Sequence, residues 1–369
     1  MRVLAYQLGS LGDTVVTIPA LRAARRHFGS DAELYILHDL SQSPRVSPKD
    51  VLLGERVDGF IGYRADASWF RKLWTFVSLW SELRKLRFEA VVYLLPSERT
   101  VLQVKRDKLF FALCGIPVRV GFHAFSRSAL YPFEDTGQPA TVRHEALCRL
   151  GRLERDGFDI SAEKDLSRPF LSLPSSEVED AKKWLAVGRR YPDVPLVAIC
   201  PGSKQPANSW PAERFIEIGR LLLAERLFEL IVIGGRAEEA VGERLIQVWG
   251  GGLNAAGRFS VLGSACLLKS CKFVIGLDTG TTHLAAALGV PCLAIYGGRE
   301  HPGRWDPLGD RHIVIRHSVA CSGCGHRVCP EEGHPCMREI EVDDVWESVR
   351  SLAFDEKVAG GHRNTSLWV

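Results

Sequence analysis

No run of about 18 or more uninterrupted apolar residues occurs in this 369-residue chain, which argues against a membrane-crossing helix. No secretory leader is expected either, since Met1-Arg2-Val3-Leu4 runs straight into a strand pattern, and a cytoplasmic home is expected. Charge of one sign is lacking. The 47 basic and 44 acidic side chains leave a net charge of +3, too little by itself to imply a nucleic-acid partner. No repeat of about 20–50 residues stands out. What is present is ordinary for a soluble α/β protein, with 46% hydrophobic and 25% charged residues. The length suits two domains, each with its own core.

Strand-like runs alternate with helical patterns along the whole chain, the signature of parallel sheets covered by helices. In the first half the strands are expected at Val3–Tyr6, Glu33–Leu37, Ala90–Leu95 and Arg119–Gly121. In the second half they fall at Leu196–Cys200, Glu229–Ile233, Phe273–Ile275, Cys292–Ile295 and His312–Ile315. The Pro- and Ser-rich stretch Leu166–Ser176 reads as the boundary, with Ser176 and Glu179 as the start of the next helix. The expectation is an α/β protein of two doubly wound domains with a cleft between them, residues 1–170 and 171–350. The tail, 351–369, lacks periodicity from Gly360 onward and is expected to pack only locally.

Two glycine-containing loops carry the chemistry. Leu8-Gly9-Ser10-Leu11-Gly12-Asp13-Thr14 follows the first strand, and Asp278-Thr279-Gly280-Thr281-Thr282-His283 precedes an Ala-rich helix. Glycine permits a sharp turn at a strand end, and a helix start offers unpaired N–H groups to an anion. Asp13 admits two readings: a general base taking a proton from an acceptor hydroxyl, or the N-cap of the helix that follows. The second loop suits a diphosphate, with His283 either a phosphate donor or a structural residue. A base in one half and a diphosphate in the other suggest group transfer from a nucleotide donor.

Weaker signals surround these loops. Ser203 and Lys204, after the strand at 196–200, suit phosphate contact, although an ordinary polar loop reads the same way. Glu238, beyond Gly234-Gly235, suits a ribose hydroxyl pair or a solvated helix start. Arg99, Lys105, Arg106 and Lys108 form a basic cluster that would meet an anionic acceptor. Trp69–Trp80 is an aromatic, basic amphipathic segment: a helix packed on the first sheet, or a membrane-interface element. Cys321, Cys324, Cys329 and Cys336 offer a tetrahedral set for structural zinc or iron, with two disulfides or free thiols as alternatives.

Gly9-Ser10-Leu11-Gly12-Asp13, Pro201-Gly202-Ser203 with Trp210-Pro211, and Asp278–Pro291 occur in an order that resembles glycosyltransferase family 9, the heptosyltransferases of lipopolysaccharide core assembly. The resemblance spans roughly residues 1–350, and the Cys321–Cys336 pattern is similar to that of many members. It implies a GT-B fold and metal-independent inversion at the anomeric carbon. The base would be Asp13, and the donor, ADP-heptose, would lie on Ser203, Lys204, Glu238 and Asp278–His283. The acceptor side would include Ser10, Gly12, Arg99 and Lys105. No catalytic cofactor is implied. Asn208 departs from the family, which often carries a diphosphate-binding Lys at that place, and Lys204 is the expected replacement.

The resemblance implies as acceptor a lipopolysaccharide core at the inner membrane or, in a protein O-heptosyltransferase, a Ser/Thr side chain. A nucleotide-sugar epimerase would need a tight G-x-G-x-x-G loop or a second acid/base pair, neither of which is evident. A non-catalytic sugar-nucleotide binder would lack only a role for Asp13.

Overall fold

The computed structural model describes residues 1–40, 46–64, 69–354 and 365–368. The chain forms two compact units, Met1–Pro132 with Arg143–Asp165, and Phe133–Val142 with Leu166–Val369. The short excursion 133–142 into the second unit is not visible in the sequence pattern.

The first unit is a five-stranded sheet in the order β3-β2-β1-β4-β5. Its strands are β1 (Arg2–Tyr6), β2 (Glu33–Asp39), β3 (Gly59–Tyr63), β4 (Ala90–Tyr93) and β5 (Val118–Val120), all paired in parallel. Strand β1 is apolar on both faces because it is central and covered on each side. Strand β3 lacks an apolar run and so gives no sequence signal. A Cβ on Gly59 would meet the Tyr35 ring at 2.5 Å, and one on Gly62 would meet Leu40 at 2.5 Å. These glycines make room for side chains around β2. Tyr6 packs edge-on against Tyr93 and Phe111, with centroids 5.9 and 5.4 Å away, at the heart of this unit's core.

The second unit is a seven-stranded parallel sheet in the order β12-β11-β10-β9-β6-β7-β8. The strands are β6 (Leu196–Cys200), β7 (Glu229–Val232), β8 (Leu253–Asn254), β9 (Phe273–Leu277), β10 (Cys292–Tyr296), β11 (Ile313–Arg316) and β12 (Thr365–Trp368). The core joins Val197, Ile199, Phe215, Leu230, Phe273, Ile275 and Met337. Two expectations are corrected. The C-terminal residues are not only a local tail: Thr365–Trp368 adds a parallel strand to β11, and four residues are too few to show a period. The helix Ser175–Gly188 is preceded by Pro174 at its N-cap, so Ser176 lies within the first turn and is not the cap.

In both sheets a central strand, β1 or β6, is flanked by strands reached in opposite directions. Doubly wound sheets bind ligands outside the carboxyl ends of strands at such a switch point. The loop after β1 holds Asp13, and those after β6 and β9 hold Ser203, Lys204 and Asp278. No helix among the described residues is long and apolar enough to cross a membrane.

Candidate active site

The loop after β1 is shaped by Gly9, whose φ of +128° and position against Asp13 exclude a side chain; a Cβ there would lie 2.3 Å from Asp13 Cβ. Ser10 is the N-cap of a short helix, Leu11–Val15, and Asp13 is its third residue. Asp13 is thus not the N-cap. The Ser10 N–H donates to Asp13 Oδ2 at 2.8 Å and the Ser10 hydroxyl to the same oxygen at 3.1 Å. This places the cap and the carboxylate in one hydrogen-bonded unit.

The other oxygen, Oδ1, faces the guanidinium of Arg149 at 3.5 Å, and Arg149 is fully buried. Arg149 also donates to the Asp13 carbonyl at 2.8 Å and to Glu145 at 3.0 Å. Glu145 accepts from the Ser97 N–H and hydroxyl at 3.0 and 3.1 Å. Burial pushes the Asp13 pKa above the ordinary carboxylate range, while Arg149 and the Ser10 donors oppose that rise. The outcome is a carboxylate of heightened basicity with one anchored oxygen, which suits a proton acceptor. Arg149 and Glu145 left no mark in the sequence, because Glu145–Arg155 reads as a charged helix face.

On the same unit, Arg99 donates to the buried carboxylate of Asp107 at 3.1 Å, and Arg106 donates to the other oxygen of Asp107 at 2.6 Å. Two members of the expected basic cluster therefore serve an internal carboxylate. Lys105 and Lys108 stand exposed on the helix Val101–Leu113.

The loop after β9 opens the helix Gly280–Ala287, with Thr279 as N-cap and no side-chain cap. The first turn therefore presents backbone N–H groups without intrahelical acceptors. Thr282 does not add a hydroxyl to that surface: it is buried and donates to the Leu277 carbonyl at 2.6 Å. The Thr279 and Thr281 hydroxyls are 3.3 Å apart at the partly exposed rim. His283 is buried, and burial together with His312 lowers its pKa to about 4, so the ring is neutral. Asp278 is raised to about 6, chiefly by burial, against the pull of Arg299 and Arg316.

The loop after β6 borders Asp278. Asn208 is buried and donates to the Asp278 carboxylate at 2.9 Å. Lys204 is exposed, and the Ser203 hydroxyl turns to the Gln205 carbonyl at 3.0 Å. Glu238 accepts from the Gly235 N–H at 2.7 Å and packs on Gly202, where a Cβ would lie 2.3 Å from Glu238 Cγ. The loops after β6 and β7 thus meet at Glu238.

The cysteines are free thiols, so the disulfide alternative does not apply. Cys321, Cys324, Cys329 and Cys336 line one cavity of about 50 Å³ with Arg299, His326, Glu331 and His334. Among the described residues, however, no group of three or more His, Cys, Asp or Glu is arranged to hold a metal ion. The metal expected from the spacing is not supported. Cys336 is buried on the short helix Pro335–Arg338, while Cys324 is exposed. Burial and neighbouring thiols raise the pKa of Cys321 and Cys336, which favours protonated sulfur.

The family model for glycosyltransferase family 9 (heptosyltransferase) matches residues 77–334. Lipopolysaccharide heptosyltransferase 2 of Salmonella typhimurium is 26% identical over 262 residues, 63% of this chain and 74% of that protein. Lipopolysaccharide heptosyltransferase 1 of Pseudomonas aeruginosa is 26% identical over 335 residues, 89% of this chain and 87% of that one. The solved structure of Escherichia coli ADP-heptose LPS heptosyltransferase II aligns with a TM-score of 0.68 at 19% identity, over 97% of this chain and 100% of that one. The iron-containing dodecameric glycosyltransferase TibC of enterotoxigenic E. coli aligns at 0.53 with 16% identity, over 98% of this chain and 80% of that one. The structural likenesses show the fold, two Rossmann-like domains of the GT-B type.

Proposed function

This chain belongs to glycosyltransferase family 9 and is a glycosyltransferase, and on that premise we propose that it moves heptose from ADP-heptose to a hydroxyl of a lipopolysaccharide core. The acceptor oxygen attacks the anomeric carbon from the face opposite ADP. A carbon–oxygen bond forms, the bond from that carbon to the β-phosphate oxygen breaks, and its electron pair leaves with ADP. The acceptor proton passes to Asp13, and the configuration inverts.

The observation that carries this reading is the Asp13 carboxylate. Oδ2 is held by Ser10, Oδ1 lies beside a buried guanidinium, and burial raises the pKa. A base that is both oriented and strengthened is what deprotonation of a sugar hydroxyl requires. The second unit would hold the donor diphosphate on the open amides of Gly280 and Thr281, with Lys204 supplying a cation and Glu238 the ribose contact. This assignment uses no metal.

An anionic lipid surface fits the acceptor side. The helix Trp69–Leu86 exposes Trp74, Phe76 and Val77, and Val101–Leu113 exposes Leu102, Leu109 and Leu113. The two helices are joined by a Phe76–Phe110 ring contact at 4.5 Å and a Trp80 indole bond to the Leu113 carbonyl at 2.9 Å. Lys105 and Lys108 are exposed on the second helix. Apolar and basic side chains combined in this way suit peripheral contact with the inner membrane's cytoplasmic face.

The test is purified protein with ADP-heptose and a heptose-deficient lipopolysaccharide, following ADP release and the mass of the acceptor. Acceptor-dependent ADP release with one added heptose supports the reading. Preference for another nucleotide sugar, or transfer only to a Ser/Thr peptide, overturns it.

A further inference from the structure

Strands β6 and β10 do not pair with each other; each pairs with β9. Their following loops therefore border Asp278 from either side without a ladder between them. The segment Cys321–Cys336 supplies that tie. On the β10 side, the Gly323 N–H donates to the Gly298 carbonyl at 2.6 Å and the Gly325 N–H to the Arg299 carbonyl at 2.9 Å. Arg299 answers by donating to the carbonyls of His326 at 3.0 Å and Gly325 at 3.2 Å. On the β6 side, the Ala207 N–H donates to the Arg327 carbonyl at 3.1 Å, and His334 Nε2 lies 3.0 Å from the Ala207 carbonyl. Both backbone polar groups of Ala207 are thus taken by this one segment.

The two loops also touch directly. A Cβ on Gly297 would lie 3.0 Å from the Ala207 carbonyl and 3.2 Å from the Met337 sulfur. Met337 is fully buried in the core and anchors the chain just after His334. His334 has a left-handed backbone, φ 51°, at the N-cap of Pro335–Arg338, a conformation uncommon for a non-glycine residue. Next to Ala207 stands Asn208, which binds Asp278, and Arg299 is the largest favourable charge on Asp278.

We propose that the cysteine-rich segment is a positioning element of the donor site, with His334 holding Ala207 so that Asn208 and Arg299 together fix Asp278 and the helix start behind it. This rests on the donor assignment made above. His334 touches neither substrate nor reacting atoms; it acts through the Ala207 carbonyl. The thiols line one cavity along this segment, and none has to bind the nucleotide.

The experiment compares wild type with His334→Ala, His334→Gln and Arg299→Lys. Glutamine can return an N–H to the Ala207 carbonyl, whereas lysine at 299 keeps the charge but loses the two-carbonyl fork. Donor KM, acceptor KM, kcat and thermal melting are measured, with hydrogen exchange over residues 276–284. Loss of one such bond predicts a donor KM raised about five- to tenfold in His334→Ala, with kcat and acceptor KM within about twofold and faster exchange over 276–284. His334→Gln restores most of this, and Arg299→Lys moves the same readouts as His334→Ala. A lower melting temperature with unchanged donor KM and unchanged exchange overturns the proposal. Should His334→Ala not fold, the Arg299→Lys readouts decide alone. If wild type turns over no ADP-heptose, the functional reading fails, and exchange over 276–284 still supports or refutes the positioning role.

Discussion

Asn208 donates its amide N–H to the carboxylate of Asp278 at 2.9 Å and to the Asp278 carbonyl at 3.2 Å, from a side chain that is 3% exposed. A neutral amide is thus the side-chain partner of Asp278, whose pKa burial raises to about 6.

A pH dependence follows from that value. A diphosphate near Asp278 favours the protonated, neutral carboxyl, so donor affinity should be highest below about pH 6 and fall as Asp278 ionises. Calorimetric titration with ADP-heptose between pH 5 and 8 measures this. Asp278→Asn should flatten the profile, and Asn208→Lys should move the transition to lower pH by placing a cation beside the carboxylate. A flat wild-type profile places the diphosphate away from Asp278.

Lys204→Ala should weaken donor binding roughly 10- to 100-fold, the range of a charge-assisted contact. Adding Asn208→Lys should recover part of the loss. Normal affinity in Lys204→Ala would leave the diphosphate to the helix amides and another cation.

Asp13→Asn should fold and bind ADP-heptose normally yet lose about 10²–10⁴ in turnover, because an amide accepts no proton. Arg149→Met is expected to differ in kind. It strips the partner from buried Glu145 and costs on the order of 3–5 kcal/mol of stability. Urea unfolding separates the two variants. Retention of more than about a tenth of wild-type turnover in Asp13→Asn would reduce Asp13 to its capping role.

Thr281→Glu should weaken the donor without unfolding the chain, since Thr281 sits at the partly exposed rim and a negative charge there opposes a diphosphate. Thr282→Glu should unfold the second unit instead, because the side chain is fully buried against Leu277. Circular dichroism with ADP binding distinguishes these outcomes. Unchanged affinity in a folded Thr281→Glu moves the phosphate site elsewhere.

Leu102→Asp with Leu109→Asp should reduce co-sedimentation with anionic phospholipid vesicles several-fold while leaving transfer to a soluble acceptor fragment intact. Equal sedimentation of variant and wild type assigns the exposed face another use.

Local pattern determined much of this protein. The apolar runs of β1, β4, β6, β9 and β10 are read directly from sequence, because a strand covered on both faces must be continuously apolar. The loops at Asp13 and Asp278 were legible on a different ground: glycine and small hydroxyl residues after an apolar run mark a backbone that turns at a strand end. Packing decided what pattern could not carry. Gly59–Tyr63 pairs with β2 through glycines that leave room for Tyr35 and Leu40, and Thr365–Trp368 is a strand by its pairing with β11. Within the site, Thr281 and Thr282 are neighbours of like chemistry, yet one reaches the rim and the other is turned into the core. Arg149 reaches Asp13 across 136 residues of chain, and the four cysteines line one cavity without forming, among the described residues, a group arranged to hold a metal ion. Periodicity reports which face of an element is apolar. Which polar atoms meet, and whether their charges survive burial, depends on contacts between residues far apart in the chain, and those exist only once the sheets are formed.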